Sequence, residues 1–221
     1  MTKSHNYFTS SIGKKQIMAL TGFGLVGFTM AHLLGNLLIF LGADAFNMYA
    51  YTLTSNPLIY VAEAGLVAMF VLHLVLAVFL KIENSSARPQ AYYVKKKTGR
   101  GETFASVTMP YTGLVILVFI VLHLMNFKYG THYTTMIDGL EVRDIFRTVV
   151  EYFANPLYVA WYVFAMIALG IHTSHGFQSM FQSWGVNHPK YTPTIHFVSL
   201  AYGLTVASGF SILAIYCHLL N

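Results

Sequence analysis

Five of the ten histidines, His32, His73, His123, His172 and His175, fall inside long apolar runs of this 221-residue chain. A neutral imidazole carries one N–H and one bare lone pair, so in hydrocarbon it needs a hydrogen-bond partner or a metal. Two imidazoles that arrive from different helices at one height can bind a single metal from opposite sides. Four of the five sort that way. Counted along each run at 1.5 Å per residue, His32 and His123 stand about 21 to 24 Å above the inner end, and His73 and His172 about 12 to 14 Å above it. Two such pairs are what two bis-histidine haems in a four-helix bundle require. With both axial positions filled, each iron suits electron transfer and offers dioxygen no site. Hydrogen bonding between helices is the other use of a membrane histidine, and matched depths in two pairs favour the metal. Gly27 and Gly35 near His32, and Gly170 and Gly176 near His172, are expected to let a flat macrocycle approach the backbone.

The elements that position these residues are membrane helices. Hydrophobic residues make up 56% of the chain and charged residues 10%, and the apolar residues fall in five runs at roughly 16 to 41, 57 to 80, 109 to 127, 156 to 181 and 194 to 220. These run lengths match the hydrocarbon thickness for helices and exceed what barrel strands use. The fold class is therefore all-α, one transmembrane domain over residues 1–221. Asn56-Pro57, Asn155-Pro156 and Thr108-Met109-Pro110 each place a capping side chain just ahead of a proline, and predict helix starts there. The first run exceeds a secretory signal's apolar segment in length.

Lysine and arginine set the orientation. With the N-terminus inside, the inner segments hold ten of the thirteen, Lys3, Lys14, Lys15, Lys81, Arg88, Lys95, Lys96, Lys97, Arg100 and Lys190; the outer ones hold Lys128, Arg143 and Arg147. The net charge of +5 thus reads as topology, with anionic lipid headgroups or a docked partner at the inner loop and no nucleic acid. On the opposite side, residues 138–153 place Leu140, Ile145, Phe146, Val149 and Phe153 on one face, which predicts an interfacial helix on the outer surface. A single cysteine, Cys217, excludes an intrachain disulfide, a thiolate cluster and a covalent haem motif. "GFGLVG" at 22–27 lies inside a span and reads as helix packing, not as a dinucleotide loop.

In order and spacing, "MAHLLGN" with "GADAFN", "VLHLVLA", "VLHLMNF" and "GIHTSHGFQSMFQSWG" resemble the single-chain, dihaem cytochrome b subunit of succinate:quinone oxidoreductases, including fumarate reductases. The resemblance covers nearly the whole chain. It implies axial ligands on the first four spans, first with third and second with fourth, hence His32 with His123 and His73 with His172. The fourth ligand of that family stands four residues before a glycine, which is His172 before Gly176, leaving His175 for a haem propionate or a neighbouring helix. The resemblance further implies two haem b groups, a flavoprotein with FAD, and an iron–sulfur subunit docked on the cytoplasmic face. Electrons would pass between that subunit and a quinone, menaquinone by expectation, in a bacterial cytoplasmic membrane with the N-terminus cytoplasmic. A cytochrome b of a formate dehydrogenase or hydrogenase is the alternative that shares these features.

A quinone needs an apolar slot, hydrogen-bond partners and a proton-exchanging group. Glu63 is the one carboxylate well inside a span, just beyond the outer haem by height, and Asn36 and Asn126 fall near the same level. A site on the inner side around Trp184, His188 and His196 is the other expectation.

Overall fold

The computed structural model describes residue 7 and residues 10–86 and 104–221. Lys3, His5, Arg88, Lys95, Lys96, Lys97 and Arg100 lie outside the described residues. Five helices are long and apolar enough to cross a membrane. α1 (Ser11–Asn36) starts at Ser10, whose Oγ accepts from the Gly13 N–H at 3.1 Å, and it runs on as a 3₁₀ turn to Leu41. Gly42, at φ 99°, then adopts a conformation that side chains disfavour and turns the chain into α2 (Ala43–Ser55). α3 (Leu58–Ser86) follows Asn56, whose side chain accepts from the Leu58 N–H at 3.0 Å.

α4 (Phe104–His123) widens into a π turn over Leu124–Lys128. A short hairpin comes next, β1 (Thr134–Ile137) paired antiparallel with β2 (Leu140–Arg143), and α5 (Ile145–Phe153) follows with Asp144 as its cap. α6 (Pro156–Ser183) starts where the Asn155-Pro156 signature places it, with Asn155 Oδ1 accepting from the Leu157 N–H at 2.9 Å. α7 (Thr192–Leu219) closes the bundle.

The packed core lies between α6 and α7. A Cβ at Gly170 would come within 2.7 Å of the Gly203 carbonyl oxygen, and one at Gly203 within 2.5 Å of the Gly170 carbonyl oxygen. Small residues at that crossing let the two backbones touch, which is how helices gain dispersion energy in lipid, where apolar burial drives nothing. α1 lies against α3, α6 and α7, with the Tyr202 hydroxyl of α7 donating to the Val26 carbonyl at 2.7 Å, and Lys14 paired to Glu83 of α3. α4 rests on α6. The outward sides of α3 and α4 carry exposed Val67, Val71, Val78, Phe79, Leu114, Val118 and Val121, a surface suited to lipid tails.

The structure corrects two sequence expectations. Residues 138–153 are not one interfacial helix: Leu140 is exposed in β2, and only Ile145–Phe153 is helical. The apolar side of α5, with Ile145, Phe146, Val149 and Phe153, packs on the bundle against Leu33, Tyr162 and Leu213. Amphipathicity alone cannot distinguish a lipid surface from a protein one. Asn47, 1% exposed, clamps this cap: its Nδ2 donates to Asp144 at 2.9 Å, and its Oδ1 accepts from the Phe146 N–H at 2.9 Å. Secondly, Pro110 lies inside α4, whose start is Phe104. Thr108 does not cap there; its hydroxyl donates back to the Phe104 and Ala105 carbonyls at 3.0 and 3.1 Å. The residues ahead of Pro110 are helix-competent, so the proline marks a turn of the helix rather than its first residue.

Candidate functional site

The bundle brings the histidines together in two tiers. The tier nearer the N-terminus of α1 is called inner, after the orientation expected from lysine and arginine. It holds His73 of α3 and His172 of α6. Each ring leans on the helix packed beside its own. His73 Nδ1 is 3.2 Å from the Thr21 hydroxyl of α1, and His172 Nδ1 is 3.1 Å from the Thr112 hydroxyl of α4. Both threonines are buried, at 5% and 8% exposure, and Thr112 is the one buried residue of α4.

In the outer tier, His32 of α1 and His123 of α4 face each other directly, with ring centroids 5.9 Å apart and planes at 87°. Aromatic rings surround them: Phe28 stacks on His32, Phe210 of α7 lies beside it, and Phe119 and Phe127 flank His123. His123 Nδ1 lies 3.1 Å from the Tyr162 hydroxyl. That hydroxyl is 3.5 Å from the Tyr158 hydroxyl, which accepts from Asn126. His32 differs, since its Nε2 is 3.4 Å from the Asn36 amide of its own helix, and that amide also donates to the His32 carbonyl at 2.8 Å.

The remaining candidates scatter. His175 turns to its own helix, with Nδ1 3.2 Å from Gln178 and Nε2 3.2 Å from Ser179, instead of reaching a neighbouring helix. Glu63 is partly exposed and ion-paired at 2.6 Å to Lys128, which stands two residues after Asn126. At the inner end, Trp184 packs on Phe23 and Phe181, His188 accepts from the Lys190 N–H, and His196 is exposed. The expected role of the glycines needs revision. Gly35 faces the Tyr49 ring and Gly170 faces α7, so both serve helix packing, whereas Gly27 and Gly176 have open space beside them. The glycines that do face the candidate histidine rings are Gly22, 3.3 Å from His73 Cε1 at its Cβ position, and Gly113, 3.6 Å from His172 Cε1.

The donor set fits a planar macrocycle better than a bare ion. Among the described residues no third histidine, cysteine or carboxylate joins either pair. A protein-held transition metal ordinarily takes three or four side chains, whereas a haem brings four nitrogens and asks the protein for two axial ones. Imidazole–metal bonds of roughly 2 Å on either side of one ion are compatible with the outer ring spacing. The helices that carry matched histidines are also not the ones that pack closely: α1 lies against α3 and α6, and α4 against α6, so each pair reaches across the bundle. Sequence reasoning passed over Thr21, Thr112, Tyr158 and Tyr162. A hydroxyl in the middle of an apolar run was the available signal.

Comparison with known proteins gives the family. The profile of the family described as "Succinate dehydrogenase/Fumarate reductase transmembrane subunit" matches residues 83–209, a stretch that includes His123 and His172, with His32 and His73 ahead of it. Over 197 residues the chain is 24% identical to the "Succinate dehydrogenase cytochrome b558 subunit" of Bacillus subtilis (strain 168), covering 85% of this chain and 91% of that protein. No solved structure matches.

Proposed function

The chain belongs to the succinate dehydrogenase/fumarate reductase transmembrane subunit family, and on that premise we propose that it is a dihaem membrane anchor passing electrons between an iron–sulfur subunit and a membrane quinone. His73 and His172 would hold the inner haem, and His32 and His123 the outer. The observation that carries this reading is the two-tier arrangement itself, four imidazoles from four helices with each pair reaching across the bundle. When bound, haem with both axial positions filled supplies one-electron exchange.

The chain's own residues do the rest. They orient the four rings, and they exclude water with the aromatic cage of Phe28, Phe119, Phe127 and Phe210. They also place polar groups at the outer end for a quinone. Asn36 and Asn126 are the hydrogen-bonding candidates there, and Glu63, paired with Lys128, is the candidate for proton exchange. The quinone is menaquinone in this reading. A flavoprotein with FAD and the iron–sulfur subunit complete the enzyme from the cytoplasmic face, and succinate and fumarate are handled there. The membrane in this reading is the bacterial cytoplasmic one, and the charge asymmetry supports a cytoplasmic N-terminus.

The test is a reduced-minus-oxidised optical spectrum with a haem count on the purified complex. Two b-type haems per chain, extractable by acid acetone, are expected. A count of zero or one sinks the dihaem reading.

A further inference from the structure

The inner pair is seated by a repeated device. On α1, Thr21 stands beside Gly22 and eleven positions before His32; on α4, Thr112 stands beside Gly113 and eleven positions before His123. Eleven residues are within about 20° of three full helical turns and rise about 16 Å. Threonine and outer histidine therefore share one face of the helix, each at its own tier. α1 and α4 thus present a hydroxyl to the inner tier and an imidazole to the outer.

The hydrogen bonds decide which ring nitrogen is free. A hydroxyl has one proton. That of Thr21 points at the Ile17 and Met18 carbonyls, 3.1 and 3.0 Å away, and that of Thr112 at the Thr108 and Met109 carbonyls, both 3.1 Å away. With the proton directed back along the helix, each oxygen meets the imidazole with its lone pairs, and the ring nitrogen facing it must be the N–H. Each ring is therefore the Nδ1–H tautomer, with the Nε2 lone pair left for a metal. Beside Thr21, Gly22 gives the ring room, since a Cβ there would stand 3.3 Å from His73 Cε1; a Cβ at Gly113 would make an ordinary contact, 3.6 Å from His172 Cε1.

We propose that Thr21 and Thr112 are the positioning residues of the inner haem, each fixing the tautomer and orientation of the ligand histidine on the helix packed beside it. The inference rests on the dihaem reading and deepens it. An imidazole whose N–H is held by an acceptor is a more basic ligand, and a more basic ligand favours ferric over ferrous iron. Loss of the acceptor should raise the midpoint potential of that haem alone.

The experiment uses the purified complex with Thr21→Val, Thr112→Val and the two serine counterparts. Haem content is measured, and each haem is followed through a redox titration by its optical band. The band missing from a His172→Ala complex identifies the inner haem. The valine variants should move the inner midpoint upward, or weaken retention of that haem by about 10- to 100-fold, with the outer midpoint unmoved. Serine should restore wild-type behaviour. Unchanged inner potential and content in both valine variants would overturn the proposal, as would serine and valine behaving alike. If valine prevents assembly, alanine against serine carries the same contrast. A wild-type complex without two haems would instead defeat the dihaem reading itself, so the two failures are distinct.

Discussion

The two histidine tiers lie in the same four helices, yet they are held by different means. In the inner tier each ring leans on a threonine whose own bonds stay within one turn of its helix, so the support is local and rigid. In the outer tier, among the described residues, only His123 has a hydroxyl partner, and that hydroxyl belongs to a chain running through Tyr162 and Tyr158 to Asn126 in the π turn. Arg143 of the hairpin donates to the Phe127 carbonyl in that same turn at 2.7 Å. The outer tier is thus mechanically joined to the cap formed by α2, the hairpin and α5. Among the described residues, the hydrogen bonds of the inner rings to other helices run to Thr21 of α1 and Thr112 of α4. A change at the capped end should reach the outer tier and leave the inner one alone.

The largest expected effect comes from removing a ring. His172→Ala should remove one haem and leave the other, and His123→Ala should remove the complementary one. Either should abolish quinone-linked turnover while succinate oxidation with a water-soluble acceptor continues. Loss of both haems from either single change would show that the tiers are not independent.

Glu63→Gln comes next. It keeps the shape of the side chain but removes the exchangeable proton, so quinone turnover should fall by about 10²-fold, the scale of losing a general acid–base, with both haems retained. The partly exposed pair with Lys128 is worth only about 0–1 kcal/mol, so thermal stability should stay near wild type. Normal quinone turnover would make Glu63 an ordinary helix-end residue and send the search to Trp184, His188 and His196. The smallest effect is expected of Tyr162→Phe, which deletes the hydroxyl at His123 and costs about 0.5–1.5 kcal/mol of stability. A redox titration should show the outer midpoint moved and the inner one in place. Movement of the inner midpoint would break the contrast between the tiers.

Much of this arrangement was legible in the residues. The depth of His32 in α1 and of His123 in α4 put them at one height, and the structure sets their rings 5.9 Å apart. Asn155 before Pro156 is a working cap. Pro110 misled because a proline in a helix interior and one at its start look alike in a string of apolar neighbours. Gly35 and Gly170 misled for a related reason: a glycine near a histidine in sequence can face any direction, and these two face Tyr49 and α7.

What the sequence by itself determined is one-dimensional. Run length against bilayer thickness counts the five helices, and rise per residue assigns each histidine a depth; neither needs knowledge of a neighbour. Azimuth was left to the tertiary structure. The side of the helix from which each ring departs, the hydroxyl it meets and the glycine that makes room for it depend on which helix lies opposite and how it is rotated. Only packing supplies that: α6 closing on α7 through Gly170 and Gly203, and α1 and α4 set across from one another around it.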